Sequence, residues 1–272
     1  VRYARAAGVA GFLVPAKAAE VDRLAEDERF DMVTAVCEES GDTPVIGGSQ
    51  AVDQPTRLAA ARELTRLGCD GILISMPWEN DRKTFARDFR EIADATDRLI
   101  MLQDWDAGGP GLPVDFIAEL FEATPNFGAL KIEVQPAGPK YSAVLEATGG
   151  RLHVSGGWAV MQFIEALDRG VNAFMPTGLH HAYVSIYDLY TQGDRDAARD
   201  RFEEILPILA VSNQDMELSL HFFKRLLHTQ GLYPTALVRE PTREFDPWQA
   251  RIADEMIARA IALENRLGGV PE

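Results

Sequence analysis

Cysteine is scarce in this sequence: Cys37 and Cys69 are the only two, and they stand in unrelated segments without the spacing of a zinc site or a disulfide framework. Free, buried thiols are the expectation. No apolar stretch approaches the roughly 20 residues that cross a bilayer, and no charged-then-apolar leader opens the chain, so no membrane partner is expected and the location expected is cytoplasmic. Basic residues are also in deficit. Against 42 Asp and Glu there are 27 Lys and Arg, a formal net charge of -15, and no basic run offers a polyanion a grip, which argues against nucleic acid. The acidic residues, such as those from Glu20 to Glu28, spread over helix-like segments and read as solvated surface. With 46% hydrophobic and 25% charged residues, the balance is that of a globular protein rather than a disordered one.

What is present is an alternation. Short aliphatic and β-branched runs at 11–14, 44–47, 71–75, 99–103, 129–134, 152–155 and 173–176 are separated by amphipathic stretches such as 54–67 and 83–95, the pattern of parallel strands joined by crossover helices. Asp53 before Gln54-Pro55 is a helix start, and Gly68, Gly149 and Gly170 are helix stops. Seven strands plus a missing first one would close an eight-stranded TIM (β/α)8 barrel, in which the opening segment 1–8 is the tail of a helix followed by a turn. After about Thr177 the strands cease, and 183–190, 195–209, 215–230 and 248–267 read as helices. The expected organisation is an α/β barrel over 1–178 lacking its first strand and a C-terminal helical region over 179–272 packed on it, with an irregular Pro-rich linker at 232–247.

Only five lysines stand against 22 arginines, and one of them, Lys131, lies inside the apolar strand Phe127–Val134. Burial disfavours an ammonium and favours the neutral amine, the nucleophile that attacks a ketone to give a Schiff base; the alternative is a lysine paired with a carboxylate. Strand alternation puts Glu133 on the same face as Lys131, about 6–7 Å away along the backbone. There it would either move protons beside an imine or serve only as the lysine's salt-bridge partner. Gln103-Asp104 ends an earlier strand, where barrel enzymes carry their sites. Gln103 could orient a substrate hydroxyl or Glu133, or satisfy loop backbone. Ser155-Gly156-Gly157 is a strand-end turn able to bring backbone amides close to a ligand, or simply turn geometry. His180 and His181 are adjacent, so they do not share a helix face, and no metal is expected.

From Lys131-Ile-Glu133 outward, the chain resembles the family of dihydrodipicolinate synthase and N-acetylneuraminate lyase. The similarity runs through Gly8–Gly11, Asp27-Glu28-Arg29, Pro44–Gly48, Gly68–Gly71 and Pro77-Trp-Glu-Asn80. The resemblance implies a full barrel, an imine on Lys131 that needs no separate cofactor, a small 2-keto acid as substrate, and a homotetramer. The sequence departs from the family pattern in places. Where the family has Thr-Thr-Gly-Glu for the pyruvate carboxylate, this chain has Lys17-Ala18-Ala19-Glu20, so that Lys17 replaces the hydroxyls with a charge or is only a surface lysine. Gln103 replaces the proton-relaying tyrosine, and Trp78-Glu79 replaces a tyrosine pair, with Trp78 either at the site or packing near a subunit contact.

Residues 100–104 together with Lys131-Ile-Glu133 look most like the branch that contains L-2-keto-3-deoxyarabonate dehydratase, which implies that Glu133 is the acid/base. The leading expectation is dehydration of a 2-keto-3-deoxy sugar acid, with Lys131, Glu133 and Gln103 catalytic and Lys17, Ala18, Trp78, Glu79, Asp104, Gly156 and Gly157 lining the substrate. The alternatives are a class I aldolase or synthase working on pyruvate, and a catalytically silent barrel that binds a sugar acid.

Overall fold

The computed structural model describes residues 1–49, 51–106, 108–157 and 159–268. The strands are β1 (Phe12–Val14), β2 (Val45–Gly48), β3 (Gly71–Ser75), β4 (Leu99–Trp105), β5 (Phe127–Glu133), β6 (His153–Gly156) and β7 (Ala173–Phe174). The helices are α1 (Arg2–Ala6), α2 (Glu26–Ser40), α3 (Gln54–Arg66), α4 (Arg82–Asp94), α5 (Val114–Ala123) and α6 (Ala137–Ala147). They continue with α7 (Phe163–Asp168), α8 (His180–Thr191), α9 (Arg195–Ser212), α10 (Met216–Thr229) and α11 (Pro247–Arg266). The chain forms two compact units: residues 11–16 with 24–175, which hold the sheet, and residues 1–10, 17–23 and 176–272.

All seven strands are parallel and follow one another in chain order, each joined to the next by a helical crossover, which is the α/β topology expected of a (β/α) barrel. Ile100, Met101 and Leu102 of β4 and Ala129, Leu130 and Ile132 of β5 are apolar and buried because a helix-covered parallel strand is enclosed on both faces. The helices present apolar residues at three and four residue spacing. On α4 these are Phe85, Phe89, Ile92 and Ala93, which pack in the core between helices and sheet. Phe89 is fully buried and meets Phe127 of β5 edge-on at 5.1 Å. Truncating such a side chain to Ala costs roughly 3–5 kcal/mol.

Local signals in the sequence are used as read. Asp53 accepts the Thr56 amide at 2.9 Å at the head of α3, with Pro55 in the first turn. Gly68, just past its end, takes φ +93, a conformation closed to a side chain with Cβ. The two cysteines, by contrast, are neighbours in the fold: Cys37 on α2 packs against the core cluster that holds Cys69, which precedes β3, and each thiol influences the other. Burial pushes the Cys69 thiol up to about 12, so it stays protonated. Crossover helices bring together segments that the sequence separates.

The second unit differs from a single cut at residue 178, because two N-terminal pieces belong to it. Tyr3 sits edge-on to His180 and His181, at 5.7 and 5.4 Å, and its hydroxyl donates to Glu264 at 3.1 Å. Fully buried Glu264 also accepts the His181 and Ala182 amides at the start of α8, a helix N-terminus where an anion is favoured. Glu20 likewise anchors 17–23: it accepts from Lys224, from Arg23 and from the Arg239 amide. Among the described residues, no group of three or more His, Cys, Asp or Glu is placed to hold a metal, and no helix is long and apolar enough to cross a membrane.

Candidate active site

The parallel register sets the site. Ser75 of β3 pairs with Gln103 of β4, Gln103 with Lys131 of β5, and Lys131 with Ser155 of β6, so four polar residues stand in one row across the sheet. Paired residues share a face, and successive residues along each strand alternate. Glu133, two residues beyond Lys131, therefore joins the same face. Its Oε2 lies 2.9 Å from Lys131 Nζ and also accepts the Gln103 side-chain amide. Lys131 is 7% exposed, held in a strand with Phe127, Ala129, Leu130 and Ile132 buried around it. Ser155, with no exposure, turns its hydroxyl to the Leu130 carbonyl at 3.4 Å.

Amine, carboxylate and amide are thus joined through one oxygen. A carboxylate at this distance can take the ammonium proton and release the nitrogen lone pair, and it can serve again as acid or base beside a carbon bonded to that nitrogen. Gln103 holds the carboxylate with an amide that does not titrate. The space for the carboxylate comes from Gly157: a Cβ there would overlap Glu133.

Some of the expected lining residues are not on this face of the sheet. Asp104 follows Gln103 and pairs in register with Ile132, so it faces the helix layer, where it is 2% exposed and ion-paired with Lys140 of α6. It is not on the lysine's face. Gly156 is also in register with Ile132 and on that opposite side, whereas Gly157 borders Glu133. Trp78 is half-buried against Phe116 and Phe85, at 5.4 and 5.8 Å between ring centres, and belongs to the core beneath the helices. Its large apolar ring packs against these helices rather than on the lysine's face of the sheet. Glu79 is solvent-exposed in the loop after β3. Lys17 and Ala18 lie in a single 3₁₀ turn of the helical unit, where exposed Lys17 is ion-paired to Asp22.

Two neighbours were missed in the sequence. Lys140 and Tyr141 stand together on the inward side of α6, and the Tyr141 hydroxyl is fully enclosed with no hydrogen-bond partner among the described residues. Burial first, then the charges of Glu133 and Glu165, push its phenol well above the ordinary range, so it remains protonated. The available signal was a second lysine in a lysine-poor chain, followed after four residues by the buried Val144.

The Dihydrodipicolinate synthetase family model matches residues 1–256. A 4-hydroxy-tetrahydrodipicolinate synthase of Methanosphaerula palustris is 26% identical over 260 residues, covering 92% of this chain and 87% of the relative. That of Desulforamulus reducens is 30% identical over 135 residues, 48% of this chain and 45% of the relative, so here the chain aligns with less than half of the relative's length. Among solved structures, the 4-hydroxy-tetrahydrodipicolinate synthase of Methylacidiphilum fumariolicum SolV superposes with TM-score 0.83 at 18% identity, over 100% of this chain and 92% of that one. YagE, a prophage protein of E. coli K12 belonging to the dihydrodipicolinic acid synthase family and solved in complex with pyruvate, gives 0.80 at 18% identity, over 97% and 89%. These likenesses establish the barrel fold, and the match of the family model over nearly the whole length, with a buried lysine on its fifth described strand, makes the chain a member of the dihydrodipicolinate synthetase family.

Proposed function

We propose that this chain is a lyase that binds a 2-keto acid as a Schiff base on Lys131 and that its reaction is the dehydration of a 2-keto-3-deoxy sugar acid. The observation that carries the reading is Glu133 Oε2, bonded at once to Lys131 and Gln103 on the same strand face. The relatives named as synthases and the pyruvate bound to YagE support a keto acid as ligand.

In this reading Glu133 takes a proton from the Lys131 ammonium, and the free amine adds to the C2 carbonyl. Glu133 returns that proton to the departing carbonyl oxygen, which takes a second one from the amine and leaves as water, and the protonated imine forms. Glu133, again a carboxylate, then removes a proton from C3, which gives the enamine. The enamine's electrons expel the C4 hydroxyl, which leaves as water with the proton that Glu133 returns, and water then hydrolyses the imine to free the product and Lys131. Gln103, in place of a phenol, keeps the carboxylate aimed along this path. Synthase relatives favour a second reading, an aldolase making or breaking a carbon-carbon bond through the same imine. We further propose a homotetramer as the working form, which light scattering at micromolar concentration tests; a monomer would contradict it.

The deciding experiment is borohydride reduction in the presence of pyruvate and of 2-keto-3-deoxy sugar acids, followed by peptide mapping and product analysis. Expected are a reduced adduct on Lys131 and a sugar-acid product lighter by one water. Release of pyruvate from the sugar acid would replace dehydratase by aldolase, and absence of any adduct would refute the Schiff-base reading.

A further inference from the structure

We infer that Asp104 and Lys140 form a buried lock that aims Gln103, and through it Glu133, at Lys131, making them positioning residues for the reaction proposed above. The inference rests on that reading only for its catalytic consequence. The lock itself stands on geometry. Asp104 and Lys140 are 2% and 8% exposed, and they are ion-paired across the gap between β4 and α6. Asp104 Oδ1 accepts the Leu112 amide at 2.8 Å, and Lys140 donates to the Pro110 carbonyl, so both charges hold the returning end of the loop that follows β4. Gly111, at φ +66, sits where a Cβ would overlap the Asp104 carboxylate. The start of the loop is wound on Asp106, which accepts the Gly108 and Gly111 amides at 3.1 and 3.2 Å and whose own amide donates to the Glu133 carbonyl at 3.4 Å.

Gln103 and Asp104 are consecutive residues on opposite faces of one strand. Fixing Asp104 against α6 fixes the peptide between them and therefore the direction of the Gln103 side chain, which ends on Glu133. A charged pair is costly to bury, and breaking one leaves an uncompensated charge that the local backbone must move to solvate. Burial raises the Asp104 carboxyl against the lowering influence of Lys140, so Asp104 can answer the loss of Lys140 by taking a proton. Lys140→Met is accordingly the milder break, and Asp104→Asn the harsher one.

The test uses the full chain with Lys140→Met, Lys140→Arg and Asp104→Asn, each assayed well below its own unfolding temperature. Two readouts are taken. The first is the side-chain amide resonance of Gln103, assigned by its loss in Gln103→Ala. The second is kcat and KM, with borohydride trapping as control. Expected for Lys140→Met are a moved Gln103 resonance, undiminished trapping on Lys131, little change in KM and a kcat lower by about 10-fold or more, the effect of misplacing a group near the chemistry. Lys140→Arg, which keeps the charge, should restore part of both. Should Asp104→Asn fail to fold, Lys140→Met decides alone. An unmoved Gln103 resonance in Lys140→Met would overturn the lock whatever the activity, and a moved resonance with unchanged kcat would overturn its catalytic consequence. Loss of trapping in the unaltered protein would instead strike the Schiff-base reading, and the resonance would still decide the lock.

Discussion

Replacing Gly157 with Ala inserts one methyl group against the carboxylate on which the site depends. The backbone permits it, because Gly157 has no positive φ. A Cβ at this position would lie 2.5 Å from Glu133 Cγ and nearer still to its carboxylate. Carbon atoms settle at about 3.5–4.0 Å, so Glu133 must withdraw by roughly 1 Å. It cannot do so and keep both partners, since Lys131 at 2.9 Å and Gln103 share its Oε2. A misplacement of that size costs about 100-fold in rate, equivalent to about 2.7 kcal/mol of transition-state stabilisation. The assay is steady-state turnover of the keto acid found to trap on Lys131, with thermal unfolding and trapping yield as controls. Trapping should persist while kcat falls, and Glu133→Asp in the Gly157→Ala background, shorter by one methylene, should recover part of the loss. Unchanged kcat in a folded Gly157→Ala protein would refute the assignment of this glycine and of the carboxylate it accommodates.

Lys131→Arg should abolish both trapping and turnover, since a guanidinium stays protonated and cannot form an imine; a reduced adduct on Lys140 or Lys17 would show that the wrong amine was chosen. Glu133→Gln keeps the shape and cannot take a proton, so trapping should survive while turnover drops by roughly 100-fold or more, and unchanged turnover would leave Glu133 a mere partner of the lysine. The helical unit should lose stability as pH falls. Burial pushes the Glu20 carboxyl up, but the hydrogen bonds from Lys224 and the Arg239 amide outweigh it and hold the group below the ordinary value, so its contribution is present above the unfolded value and lost as pH drops through the folded one. Burial also lowers His180 from 6.5 to about 4, so it is neutral in the folded chain and charges on acid unfolding. Thermal unfolding followed from pH 7 to 4 should show a falling midpoint that flattens in His180→Leu; an equal fall in that variant would remove His180 from the account.

The fold was legible because its signals are local and repeated. Aliphatic runs alternating with amphipathic segments located all seven strands, although β4 continues to Trp105 and β7 is only Ala173–Phe174. The pairing of Lys131 with Glu133 was legible for a related reason: a lysine in an apolar strand is costly, and alternation alone puts Glu133 beside it. Asp104 and Gly156 were misassigned where that same rule was not carried through. Once Gln103 shares a row with Lys131, its successor must face the helices, and period-two alternation excludes Asp104 without any coordinates. Trp78, Lys140 and the meeting of Cys37 with Cys69 are different in kind, because they depend on which helix crosses which strand, and no local pattern records that.

Substitution of an amide at Gln103 has a consequence for proton traffic. A phenol in that row would add a third titrating group, whereas Gln103 donates to Glu133 Oε2 and exchanges nothing. Tyr141, a phenol that feels the charge of Glu133, is enclosed, and the charges of Glu133 and Glu165 add to its burial in keeping it protonated. Among the described residues bonded on this face, the mobile protons therefore belong to Lys131 and Glu133 alone. In the proposed reaction the Lys131 nitrogen, once in an imine, no longer competes as a base, which leaves Glu133, still bonded to Gln103, to take the proton from the adjacent carbon.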